Sequence, residues 1–210
     1  MLATSTSANS SGLSAPWIGQ DFSGISCQGK KQAYGPYDYT KRNKHHEALR
    51  LVEGAHFNQN VESLQGGAKQ KHNLYGDIDY TLRAFPNHHR ALNTAIKLRT
   101  LHGINKYKAA KISPVECYLQ RAISFSPEDA TTLMLYGILL HKLDKLDKAL
   151  IQYKQAEKIV PKNAQVQYNL GLLLLEMERY EEAKLYAVKA YNNKFPLQGL
   201  KRKLEKAGKW

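Results

Sequence analysis

The chain has 210 residues, 42% of them hydrophobic, enough apolar material for one core or two small ones, which excludes disorder throughout. Its densest apolar run, Leu170–Leu175, is six residues long with Gly171 inside it, far short of the roughly 18 that a membrane-spanning helix needs. Lys and Arg outnumber Asp and Glu by 31 to 18, a net charge of +13, which favours acidic partners and leaves nucleic acid, anionic lipid and acidic polysaccharide open.

Residues 1–33 read as an arm. The first 26 are rich in Ser, Thr, Gly and Ala, carry one charge, Asp21, and show no periodic apolar pattern. They lack the basic start and apolar stretch of a signal peptide, so the segment as it stands is not expected to direct export. Asn9-Ser10-Ser11 is a formal N-glycosylation acceptor that matters only in a secretory compartment.

Residues 34–85 follow a different pattern. YGPYDYT at Tyr34–Thr40 returns as YGDIDYT at Tyr75–Thr81, five of seven positions identical, which predicts two equivalent turns docked on one surface. Between them, HHEALRLVEGAHF places Leu49, Leu51, Val52 and Ala55 at helical spacing. NQNVESLQGG reads as a short helix opened by Asn58 or Asn60 and stopped by Gly66-Gly67. The whole segment is expected to be an irregular helical cap.

From residue 86 to 196 the chain is periodic. Gly103, Gly137 and Gly171 are spaced by 34 and 34, as are Ala122, Ala156 and Ala190; Ala149 with Ala183 and Pro127 with Pro161 add two more pairs. Such a unit predicts a helix-turn-helix repeat in which small residues let the two helices approach and proline ends the second. The pattern resembles the tetratricopeptide repeat family. The unit from Ala164 carries Leu170-Gly171, Tyr180, Ala183 and Ala190, and the unit from Ala130 carries Gly137, Leu146, Ala149, Tyr153, Ala156 and Pro161. An earlier unit keeps Gly103, Ala122 and Pro127, but Val115 replaces an alanine and NKYKAAKIS is long. The resemblance implies an all-α solenoid of one degenerate and two regular repeats. Residues 197–210, with Leu197, Leu200 and Leu204 among basic residues, are expected to form the capping helix that covers its open end.

Repeat geometry turns Lys97, Thr100 and Ile104 inward together with an expected partner groove made of Tyr107, Met134, Ile138, His141, Tyr168, Leu172 and Leu175. A largely apolar groove suits an amphipathic helix or a segment with small and aromatic residues. Related repeats grip a peptide carboxylate with a Lys/Asn/Arg clamp. Here only Asn169 stands in such a place, whereas Thr100 and Ile104 occupy positions that would need lysine and asparagine. The arm is a candidate occupant of its own groove or a neighbour's, with Trp17, Ile18 and Phe22 as anchors. In the second case the contact is heterologous and propagates as a filament unless it closes.

Catalytic signatures are missing from the sequence: there is no GxSxG, phosphate loop, GxGxxG or HExxH. The adjacent pairs His45-His46 and His88-His89 do not have the i, i+4 spacing that chelates a metal on a helix. No enzyme, cofactor or metal is expected. The cluster Lys201, Arg202, Lys203, Lys206 and Lys209 has no nucleic-acid-binding signature around it and reads as a solvated face, with an acidic glycan as a further partner class. Cys27 and Cys117 are either two buried thiols or one bridge, which their separation does not decide, because a bridge needs Cα atoms within about 7 Å. GPYDY, VEGAHF, GDIDYTLRAFPNHHRAL and VECY together resemble a group of small exported bacterial repeat proteins over residues 34–210. That resemblance implies the disulfide, an oxidising periplasmic or extracellular setting, and a protein-binding scaffold that can self-assemble; the alternative is a monomeric cytoplasmic adaptor.

Overall fold

The computed structural model describes residues 14–70 and 72–210. Asn9-Ser10-Ser11 and the start of the arm lie outside the described residues. Among the described residues the fold is all-α, with ten α-helices, one 3-10 turn at Tyr39–Lys41, and an isolated bridge between Gln20 and Ser26.

Local chemistry sets the helix boundaries. α1 (His46–His56) buries Ala48 and Val52, four residues apart on one face. Asn58 accepts from the Val61 N–H to open α2 (Gln59–Glu62), and Asn73 accepts from Gly76 to open α3 (Leu74–Ala84). His88 caps α4 (His89–Ala109) through Nδ1, and α5 (Val115–Phe125) begins directly after Pro114. Asp129 and Asn163 cap α6 (Ala130–Lys142) and α8 (Ala164–Glu176), which pair with α7 (Leu146–Ile159) and α9 (Tyr180–Asn192); α10 (Gly199–Lys206) closes the chain.

The two YGxxDYT copies are not equivalent turns. Tyr34–Thr40 runs as a loop into the 3-10 turn, whereas Tyr75–Thr81 lies wholly inside α3. Pro36, which has no N–H to donate, stands where the second copy has Asp77, and only the second copy has an upstream helix cap, Asn73. The shared aspartates take separate tasks: Asp38 caps the 3-10 turn, while Asp79 accepts from Tyr118 and Arg83.

Gly103 also departs from expectation. It adopts φ 72° and ψ 178°, a conformation open essentially to glycine, and α4 turns sharply there. Beyond the turn the Tyr107 hydroxyl donates to the Ala95 carbonyl at 2.6 Å. A straight helix would separate those residues by about 18 Å along its axis, so the chain folds back. A side chain at Gly103 would meet nothing within 4 Å, and the expected packing role for this glycine is therefore corrected to a backbone one.

In the next two units the glycines mark close approach. A Cβ on Gly137 would fall 2.5 Å from the Tyr153 ring, and one on Gly171 would fall 2.4 Å from Leu200 Cδ2. Ala122, Ala149, Ala156, Ala183 and Ala190 are all fully buried. One apolar cluster joins α6–α10, a second joins α2–α5 with the inner side of α6, and a third packs Tyr39, Val52 and Phe85. Leu200 and Leu204 of α10 reach the first cluster, but Leu197 precedes the helix and is 61% exposed.

Candidate functional site

A cleft of about 490 Å³ lies between α6 and α8, lined by Ile138, His141, Lys142, Asp144, Asn169, Leu172 and Glu176, with Tyr153 of α7 at its base. Its register follows from the repeat, since Ile138 and Leu172 each follow the glycine that draws α6 and α8 against their partner helices. His141 Nε2 and Glu176 Oε2 meet at 2.7 Å across the cleft. Asn169 is buried; its Oδ1 accepts from Gln165 at 3.3 Å, while its Nδ2 has no partner. A buried amide N–H₂ left without an acceptor costs on the order of 1–3 kcal/mol. The wall of the cleft thus holds one unpartnered donor that a carbonyl or carboxylate would satisfy, beside the aliphatic surfaces of Ile138 and Leu172.

Other residues expected in the groove are elsewhere. Tyr107 is 1% exposed, edge-on to Tyr75 and bonded to Ala95, because the turn at Gly103 rotates the segment after it inward. Burial pushes its phenol pKa up. Tyr168 is buried and stacks on Phe195 at 4.0 Å beneath the start of α10. Met134 and Leu175 are half-buried against the α6–α10 core and do not line the cleft.

The arm runs over α5 on its own chain. Trp17 meets Tyr118 edge-on at 5.1 Å with the Arg121 guanidinium 5.0 Å from its ring, and Phe22 donates its N–H to Glu116 while Lys145 lies over its ring at 4.9 Å. Ile18 is 40% exposed. Trp17 thus packs on α5, and Phe22 between α5 and the start of α7 against both larger clusters, and neither lines the cleft between α6 and α8. Cys27 and Cys117 are bonded, with Cα atoms 5.4 Å apart, and fix the arm at the same helix.

Six of the eight histidines have local explanations or no convergent partner. Buried His88 pairs with Glu53 at 3.0 Å and His89 with Asp129 at 2.7 Å, joining α1 and the α6 cap to the start of α4. Burial pulls the His88 pKa down. His102 meets the Tyr75 hydroxyl, and His141 meets Glu176. His56 and His72 instead converge on one carboxylate, Asp77, a meeting that no spacing in the sequence announces because the three come from separate elements.

Residues 137–178 match the family described as TPR repeat. Among solved structures the chain is similar to YrrB, described as a TPR protein with an unusual peptide-binding site, at 23% identity and TM-score 0.46 over 63% of this chain and 64% of that one. It is also similar to MamA, at 19% identity and TM-score 0.43 over 81% and 96% of the two chains, and to the MamA RS-1 ArsTM double mutant, at 20% and 0.45 over 80% and 90%. The chain spans 64% of the length of YrrB. No curated protein sequence matches it.

Proposed function

We propose that this chain, a tetratricopeptide-repeat protein, is a non-catalytic scaffold that holds an extended segment of another protein in the cleft between α6 and α8, in an oxidising compartment outside the cytoplasm. The observation that carries the reading is the unpartnered, buried Asn169 Nδ2 in the wall of the cleft, beside the aliphatic surfaces of Ile138 and Leu172 and below the His141–Glu176 pair. A main-chain carbonyl of a bound peptide would accept from it, while small or branched side chains pack on Ile138 and Leu172. The Cys27–Cys117 bond supports the compartment. The engagement of Trp17 and Phe22 with their own chain supports a partner outside it.

Peptide display against the oxidised chain tests the proposal. Selected peptides should lose at least tenfold in affinity for Asn169→Ala, with an unfolding midpoint that does not fall, and Leu172→Glu should abolish binding. Failure to select any peptide, or binding indifferent to both substitutions, overturns it.

A further inference from the structure

His56 closes α1, His72 lies in the loop after Gly66-Gly67, and Asp77 stands in the first turn of α3. Their side chains converge on one point. His56 Nδ1 lies 2.7 Å and His72 Nδ1 2.9 Å from the same atom, Asp77 Oδ1. The carboxylate is 3% exposed and its other oxygen accepts the Ala68 N–H at 2.6 Å, which fixes its orientation. The imidazoles lie 11° from parallel with centroids 5.4 Å apart, and Tyr80 stacks on His56 at 3.9 Å. One nitrogen from each ring and one carboxylate oxygen all fall within 4.8 Å of one another, and a cleft of about 250 Å³ borders them.

We propose that His56, His72 and Asp77 bind a divalent late transition metal of the zinc class. Two imidazoles and a carboxylate suit such ions, whereas magnesium and calcium favour all-oxygen sets. The present spacing is that of two N–H groups donating to one oxygen. A tetrahedral zinc with bonds near 2.0–2.1 Å holds neighbouring donors roughly 3.4 Å apart, so the rings need to open by about half an ångström. Each neutral imidazole offers Nδ1 once its proton moves to Nε2, and water from the cleft completes the set. The Ala68 N–H supplies the outer contact that metal-binding carboxylates characteristically have. Arg83, the cation at the rim, is already engaged by Asp79 at 3.0 Å and by the Lys31 carbonyl at 2.8 Å, so it does not compete for Asp77. The alternative is that Asp77 serves only as a hydrogen-bonded staple between α1, the loop and α3.

The test is calorimetric titration of the untagged, oxidised chain with zinc chloride, alongside cobalt(II) titration followed by visible absorption. The expected result is one zinc per chain with micromolar or tighter affinity and an intense cobalt band typical of four-coordination. His72→Gln, at a part-exposed loop position, should weaken zinc at least tenfold without moving the metal-free unfolding midpoint, and Asp77→Asn should weaken it at least as much while lowering that midpoint, because one face of the amide then meets N–H donors. His45→Gln and His46→Gln together should change nothing. Absence of saturable zinc binding, a weak six-coordinate cobalt spectrum, or zinc binding retained in both His72→Gln and Asp77→Asn overturns the proposal and leaves the staple.

Discussion

Arg121 shows how much one side chain organises here. It is 2% exposed and meets no carboxylate directly; instead Nε donates to the Ala15 carbonyl, one terminal nitrogen to the Leu82 carbonyl and the other to Gln32 Oε1, while the plane lies over Trp17. Burial pulls its pKa down to about 10. Only a planar fork serves acceptors in three directions, so Arg121→Lys should cost about 2–3 kcal/mol in urea unfolding, the scale of losing charge-assisted hydrogen bonds. Five positions earlier on α5, Glu116 accepts the Phe22 N–H at 3.3 Å and has its other oxygen buried without a partner; burial raises its pKa above the ordinary carboxylate value. Arg99 and Asp21 act on it in opposite directions. Below the ordinary value the group is protonated whether the chain is folded or not. As pH rises from there to the raised folded value, the unfolded chain ionises more readily, so stability falls across that window. Glu116→Gln should therefore raise the unfolding midpoint at pH 7–8, with the gain vanishing toward pH 4. A constant gain across that range would mean that ionisation of Glu116 is not its source.

At the scale of elements, the regular repeats close their inner turns in the same way. Asp144 and Glu178, 34 positions apart, both have positive φ, 56° and 58°, and the following residues, Lys145 and Arg179, donate back to the carbonyls of Leu140 and Leu174. This is the glycine-type helix stop made without glycine, and a left-handed non-glycine residue carries a cost of about 1–2 kcal/mol. Glycine at exposed Glu178 removes that cost but gains freedom in the unfolded chain. The net expectation for Glu178→Gly is about 0.5 kcal/mol of stabilisation, read by chemical unfolding. The same periodicity makes α6–α9 legible from sequence, since a glycine or alanine at fixed spacing has one physical use there, close approach. Gly103 stands in the same column yet serves the other property of glycine, a backbone angle, and residue identity does not distinguish the two. The register of the rest of α4 after it, and with it Tyr107, therefore departs from the repeat pattern, while Ile138, His141 and Leu172 of later units lie together in the cleft. The YGxxDYT pair failed for a related reason: five identical residues weigh less than one proline and one upstream cap. Asp77 meeting two histidines depends on how α1, a loop and α3 pack, which no local pattern encodes.

For the molecule as a whole, the question is how far the Cys27–Cys117 bond couples its halves. The bond closes a loop over a sequence separation of 90 residues that takes in part of the arm, α1–α3 and α4. In the chain-entropy account such a closure contributes on the order of 4 kcal/mol by restricting the unfolded chain. The core itself is divided: Leu170, Ala183 and Leu200 belong to the cluster that joins α6–α10, whereas Ile78, Leu92 and Leu119 belong to another, with α6 contributing to both. Repeat arrays transmit stability mainly between nearest neighbours. Replacing both cysteines with serine should therefore act unevenly. Hydrogen exchange should quicken in α1–α3, α4 and α5, where the bond and the arm hold the packing, while the buried amides of α8 and α9 retain near-original protection. Equal loss of protection in α8 and α9 would show instead that the chain unfolds as one unit through α6. Unchanged exchange in α1–α5 would show that Arg121, Asp79 and Asn87, which tie the arm, α3, α5 and the α6 cap together through hydrogen bonds, hold that half without the bond.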